Sequence, residues 1–138
     1  MTNLVLKLAL AALLTTAVAA QAQVQGGGST KGNPLSRLRP GEYASVKVGC
    51  AGLGGGGSAS FDGRNLSGHY QVCKTTPIPG SANRYLQRCL EGQGANNHTL
   101  ADIDTNPNAS DDQQTIIVNS PTNFTIDGEQ YAFCGGSP

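Results

Sequence analysis

Asp102, Asp104 and Asn106 stand at alternate positions of the stretch DIDTNPN, and alternating side-chain oxygens are how a calcium loop gathers its ligands. Asn108, Ser110, Asp111 and Asp112 continue the run. Pro107, however, stands where an EF-hand loop needs glycine, and Gln113 where it needs a bidentate Glu. Asp102, Asp104 and Asn106 are therefore carried forward as a weak calcium candidate. Together with Asn96, Asn97 and Asn108 they also make a polar loop able to hydrogen-bond a ligand. Four Asn-x-Ser/Thr triplets, at Asn65, Asn97, Asn108 and Asn123, are possible glycosylation acceptors if the host modifies exported proteins.

Catalytic chemistry has less support. The two histidines, His69 and His98, lie in neither a nucleophile elbow nor a metal-binding pair. The carboxylates include no pair whose spacing singles it out to flank a glycosidic bond. Gly52-x-Gly54-x-x-Gly57 formally matches the dinucleotide fingerprint, but that motif needs a helix whose N-terminus faces the phosphates. The residues that follow, SASFDGRNLSG, are turn-rich and have no helical period. No catalytic residue and no cofactor is assigned, and a loop or bulge is the expectation for the glycines.

Cys50, Cys73, Cys89 and Cys134 most simply make two disulfides, which implies an oxidising compartment. The N-terminus agrees. Residues 1–7 are a short cationic start, 8–18 an apolar run, and Ala20-Gln21-Ala22 a small-residue cleavage site, so 1–22 reads as a signal peptide and the protein as secreted or periplasmic. No later stretch is apolar enough to span a membrane. Residues 23–41, with their glycines and two prolines, read as a flexible leader, 42–134 as a single β domain and 135–138 as a tail.

Formal charge balances at zero, but unevenly. After Lys7 the basic residues lie singly between Lys31 and Arg88, and from Glu91 onward, of the charged residues, only acidic ones occur. Dispersed charge of this kind argues against a nucleic-acid partner.

The elements follow from period and turn chemistry. Asp127-Gly128 suits a two-residue type I′ turn. Closing it pairs Ile126 with Glu129 and Phe124 with Tyr131, which puts Phe124, Ile126, Tyr131 and Phe133 on one face and Cys134 on the other. Residues 43–50 alternate as a strand with Ala44, Val46, Val48 and Cys50 on one side. A second hairpin about Asp62-Gly63 would pair Phe61 with Arg64 and carry Tyr70 and Val72 onto its apolar face, with Cys73 opposite. RYLQRCL, residues 84–90, reads as a strand or a single helical turn, 91–114 as a long polar loop, and 115–119 (TIIVN) as a fully buried strand. The whole is all-β, a small disulfide-stabilised sandwich or barrel of antiparallel hairpins. Strand parity favours a Cys73–Cys134 bond, and four cysteines allow three pairings.

Residues 68–124 resemble the first half of a cyanovirin-N-type lectin. The resemblance runs through HYQVC, Ile78-Pro79-Gly80, Leu86-x-x-Cys89, Ile103-Asp104-x-Asn106 and Asn123-Phe124; the second repeat of that family has no counterpart here. It implies a Cys73–Cys89 bond and oligosaccharide binding through polar contacts. From the residues themselves, the expected function is a non-catalytic binding module of inhibitor or effector type, acting on an extracellular protein. Its presenting loops would be 51–58 and 96–112. A glycan-binding lectin is the alternative, and a secreted hydrolase has the least behind it.

Overall fold

The computed structural model describes residues 32–92 and 98–135; the expected signal peptide lies outside them. Eight strands form one antiparallel, nearly closed barrel: β1 (Gly41–Ser45), β2 (Ser58–Phe61), β3 (Leu66–Gly68), β4 (Gln71–Pro77), β5 (Arg84–Glu91), β6 (Ser110–Ser120), β7 (Asn123–Ile126) and β8 (Glu129–Gly135). Their order around the sheet is β3-β2-β1-β8-β7-β6-β5-β4. None of the described helices is long and apolar enough to cross a membrane.

The β7–β8 hairpin has the expected register, Ile126 opposite Glu129 and Phe124 opposite Tyr131. Asp127 and Gly128 take φ of 46° and 88°, the left-handed region that a type I′ turn requires. Its apolar face meets β1 in an aromatic cluster: Phe124 and Tyr131 stack at 5.2 Å, and Tyr43 sets its edge against Phe124 at 5.0 Å and Phe133 at 5.3 Å. The buried Tyr43 hydroxyl donates to the Arg39 carbonyl at 2.6 Å, so the ring is buried without stranding its polar atom.

Strands β3 and β4 are consecutive in sequence yet lie at the two ends of the sheet order. Side chains join them where a full ladder would otherwise run. The Leu66 N–H donates to Thr75 Oγ1 at 3.0 Å, the Thr75 N–H to Asn65 Oδ1 at 3.1 Å, and the Cys73 N–H to Ser67 Oγ at 3.0 Å. Gln87 Nε2 reaches across from β5 to the Leu66 carbonyl at 3.1 Å. This seam pairs backbone groups that two free edges would leave open.

Several expectations are corrected. The leader does not stay outside the fold: from Asn33 the chain packs, a 3-10 turn over Pro34–Arg37 burying Leu35 and, just after it, Leu38 in the core. The Arg39 N–H donates to the Pro121 carbonyl, which sets this turn over the barrel end formed by the β6–β7 connection. A lone 3-10 turn has too short a period to read from sequence. Gly135, assigned to the tail, pairs with Glu42 as the end of β8.

β1 stops at Ser45, because the Val48 and Gly49 N–H groups both turn back to the Ser45 carbonyl. In the β2–β3 hairpin, Phe61 pairs with Leu66 rather than with Arg64. Asp62 accepts from the N–H groups of Arg64 and Asn65, which makes a four-residue turn. The shift is by two residues, so Phe61 and Leu66 still share the buried face. His69 and Tyr70 then interrupt the strand, so on β4 it is Cys73 and Thr75 that point inward and not Val72.

β6 begins at Ser110, well inside the expected loop, and pairs first with β5 and then with β7. Its Ile116 and Val118 are buried while Ile117 is exposed, so TIIVN alternates instead of being buried on both sides. The cysteines pair as Cys73–Cys89, directly opposite one another across β4 and β5, and as Cys50–Cys134. The parity argument for Cys73–Cys134 fails because the break at His69-Tyr70 resets the faces of β4 relative to β3.

Candidate functional site

The expected calcium ligands do not converge. Asp102 Oδ2 accepts from the N–H and hydroxyl of Thr99, Asp104 pairs with the Lys74 ammonium, and Asn106 Oδ1 accepts from the Asn108 N–H. The Thr99 hydrogen bonds, backbone first, hold Asp102 below the usual carboxylate range. Asp102 and Asn106 thus each organise their own turn, while Asp104 ties the loop to β4. Among the described residues, no group of three or more His, Cys, Asp or Glu side chains is placed to hold a metal ion.

This loop is instead a cover for the outer face of β5: the buried Ile103 accepts from Arg88 Nε through its carbonyl, on the side where Leu90 is also buried. Asn96 and Asn97 lie outside the described residues. Of the remaining sequon asparagines, Asn108 is exposed and Asn123 half-buried, whereas Asn65 is buried. The Asn65 amide donates to Asp62 Oδ2 at 3.0 Å and accepts from Thr75, so the fold itself uses the group a glycan would need.

The seam end and the β7–β8 turn bring a different set of residues together. Five large apolar side chains are exposed among the described residues: Val46, Val48, Leu53, Tyr70 and Ile117. The first four lie on connections at one end of the barrel, Val46, Val48 and Leu53 between β1 and β2 and Tyr70 between β3 and β4. Val48 lies so close over the glycine-rich loop that a Cβ at Gly52 or Gly57 would come within 3.0 Å of its side chain. A Cβ at Gly54 would sit 3.9 Å from His69 Cε1, and the His69 ring lies edge-on to Tyr70 at 4.1 Å. Small residues are what let this apolar cap lie flat.

Two anchors hold the tip. Cys50, at its base, is bonded to Cys134 on β8. The turn at residues 45–48 is clamped to Glu129, which accepts from the Ser45 hydroxyl at 2.5 Å and pairs with Lys47 Nζ at 3.1 Å. The Ser45 hydrogen bond first, and then Lys47, keep Glu129 below the usual carboxylate range. Its two partners lie in the same short turn, so Glu129 fastens that turn to the start of β8.

Part of this tip was foreseeable. The glycines of 51–58 mark that loop in the sequence, but Val46, Val48 and Tyr70 alternate with polar residues and so read as strand. For Val46 and Val48 the signal of a tip is Gly49, which takes a φ of 64° just after them.

Compared with known proteins, the chain matches no family model, no curated protein and no solved structure.

Proposed function

We propose that this protein is a non-catalytic binding module of an oxidising, extracytoplasmic compartment, and that its apolar tip docks on a protein partner. The observation that carries the reading is the convergence of Val46, Val48, Leu53 and Tyr70 on a single end of the barrel. Exposed apolar side chains scattered singly need no explanation, whereas several presented at one end of a fold are characteristic of an interface. The support beneath the patch fits the same role. A disulfide and an ion pair limit the freedom that the loop would lose on docking, and lower ordering cost favours affinity.

The test compares the mature protein with a variant carrying Val48→Ser, Leu53→Ser and Tyr70→Ser, each incubated with the soluble proteins of its own compartment and cross-linked. The expected result is a discrete one-to-one complex for the native chain, with cross-links mapping to residues 46–57 and 69–70, and its loss in the variant. Circular dichroism and the disulfide map serve as folding controls. Complexes that survive in the variant would refute the tip as the docking surface.

The second reading is a lectin. What favours it is the Cys73–Cys89 bond, the pairing that resemblance to cyanovirin-N-type lectins implies. On that reading, binding to a glycan array would be competed by free sugar and unchanged by the tip substitutions.

A further inference from the structure

The two disulfides differ in what can reach them. Cys73 and Cys89 are 0% and 7% exposed, within the paired strands β4 and β5. Cys50 is exposed and Cys134 half-buried, at the foot of the connection between β1 and β2. A disulfide opens when a thiolate attacks one of its sulfurs, so access decides which bond an external thiol meets first. Lys47 is the one charged residue between β1 and β2, so that connection holds no carboxylate to repel the attacker.

They differ as much in what they hold. β4 and β5 pair from Gln71 opposite Glu91 to Pro77 opposite Tyr85, and that ladder joins the two strands whether or not Cys73 and Cys89 are bonded. The connection that carries Cys50 has no such ladder. The N–H groups of Val48, Gly49, Gly52, Leu53 and Gly55 donate to carbonyls three or four residues back, so these bonds shape the loop without fixing it to the barrel. Six of the twelve residues from 46 to 57 are glycine, the residue that gives up most conformational freedom when ordered. Cys50–Cys134 is the covalent tie between this stretch and β8. Without it the barrel stays closed, since β1 and β8 remain paired from Glu42 opposite Gly135 to Ser45 opposite Tyr131.

We propose that Cys50 is a site of thiol–disulfide exchange, at which an external dithiol opens the Cys50–Cys134 bond and frees the loop while Cys73–Cys89 stays closed. The thiolate of the dithiol attacks Cys50 Sγ and forms a mixed disulfide; the electron pair of the broken bond leaves on Cys134, which takes up a proton. The second thiol of the reductant then attacks the reductant's own sulfur in the mixed disulfide and expels Cys50, which is protonated in turn. Two electrons and two protons pass to the protein, and the dithiol ends as a disulfide. Once freed, the loop no longer presents Val48 and Leu53 in one arrangement, so reduction weakens docking. That consequence rests on the docking reading, and the exchange itself does not.

The experiment treats the folded mature protein with increasing dithiothreitol, traps free thiols with iodoacetamide and maps them by mass spectrometry. Cys50 and Cys134 should be trapped together, more than about tenfold faster than Cys73 and Cys89, because the buried pair waits for a wider opening of the fold. In the species trapped at Cys50 and Cys134 alone, hydrogen exchange should quicken at residues 48–57 and stay slow in β1, β4, β5 and β8.

Loss of both bonds at one rate would mean that reduction waits for the whole barrel to open, and would overturn the proposal. Earlier trapping of Cys73 and Cys89, no trapping of Cys50 short of denaturation, or a reduced species whose loop exchanges as slowly as before would do the same. The cross-linking assay then separates the two readings. Less complex from the selectively reduced protein supports both, whereas undiminished cross-linking with a freed loop keeps the exchange site and refutes docking through the tip.

Discussion

At the scale of single residues, two positions are set by geometry that tolerates no alternative. Gly41 opens β1 with φ of 141°, and a Cβ there would meet the Gly135 carbonyl oxygen at 2.3 Å and the Phe133 ring at 2.7 Å. Gly41→Ala should therefore cost about 2 to 4 kcal/mol in a urea titration, combining backbone strain with a clash against the backbone of β8. The second is Asp62. Partial burial acts to raise its pKa, but hydrogen bonds from Asn65 and from the Arg64 N–H outweigh it and hold the carboxyl below its ordinary value. A folded-state value below the unfolded one means stability that is present above the ordinary carboxylate range and lost as pH falls through the folded value. Asp62→Ala should thus be less stable at neutral pH and lose less on acidification below about pH 4, as followed by thermal melts across pH. Of the two, only the turn role of Asp62 can be read from the sequence, since nothing there reveals how near Gly135 approaches Gly41.

At the scale of elements, the hairpin about Asp127-Gly128 was legible because one dipeptide sets turn type, register and faces together. The β3–β4 seam was not. It consists of Asn65, Ser67, Thr75 and Gln87, polar side chains at inward or edge positions, and a binary reading of apolar inside and polar outside assigns them to solvent. Yet Thr75 is 6% exposed and Gln87 5%, so these groups are paid for by hydrogen bonds rather than by burial of carbon. Thr75→Val keeps the shape and removes the hydroxyl, leaving the Leu66 N–H without its acceptor. The expected loss is about 1 to 3 kcal/mol, together with faster hydrogen exchange at Leu66.

At the scale of the whole molecule, the barrel depends on parts that lie far apart in the chain. Leu35, wholly buried, closes one end from before the first strand, and Leu35→Ala should cost about 2 to 5 kcal/mol by denaturant titration. The cross-links differ in the same sense. Cys50–Cys134 spans 84 residues and Cys73–Cys89 spans 16, so on a chain-entropy account their removal should cost about 4 to 5 and about 3 kcal/mol respectively. Paired Cys→Ser variants compared by thermal melting check that order.

The pairing of β1 with β8 also bears on when the protein can fold. β1 finds one of its two neighbours only in β8, so half of its ladder must wait until β8 has been made. Contacts of such long range make folding slow, and a chain still emerging from its ribosome stays open at this place. Closure of Cys50–Cys134 is then a chemical timestamp for arrival of the C-terminal strand.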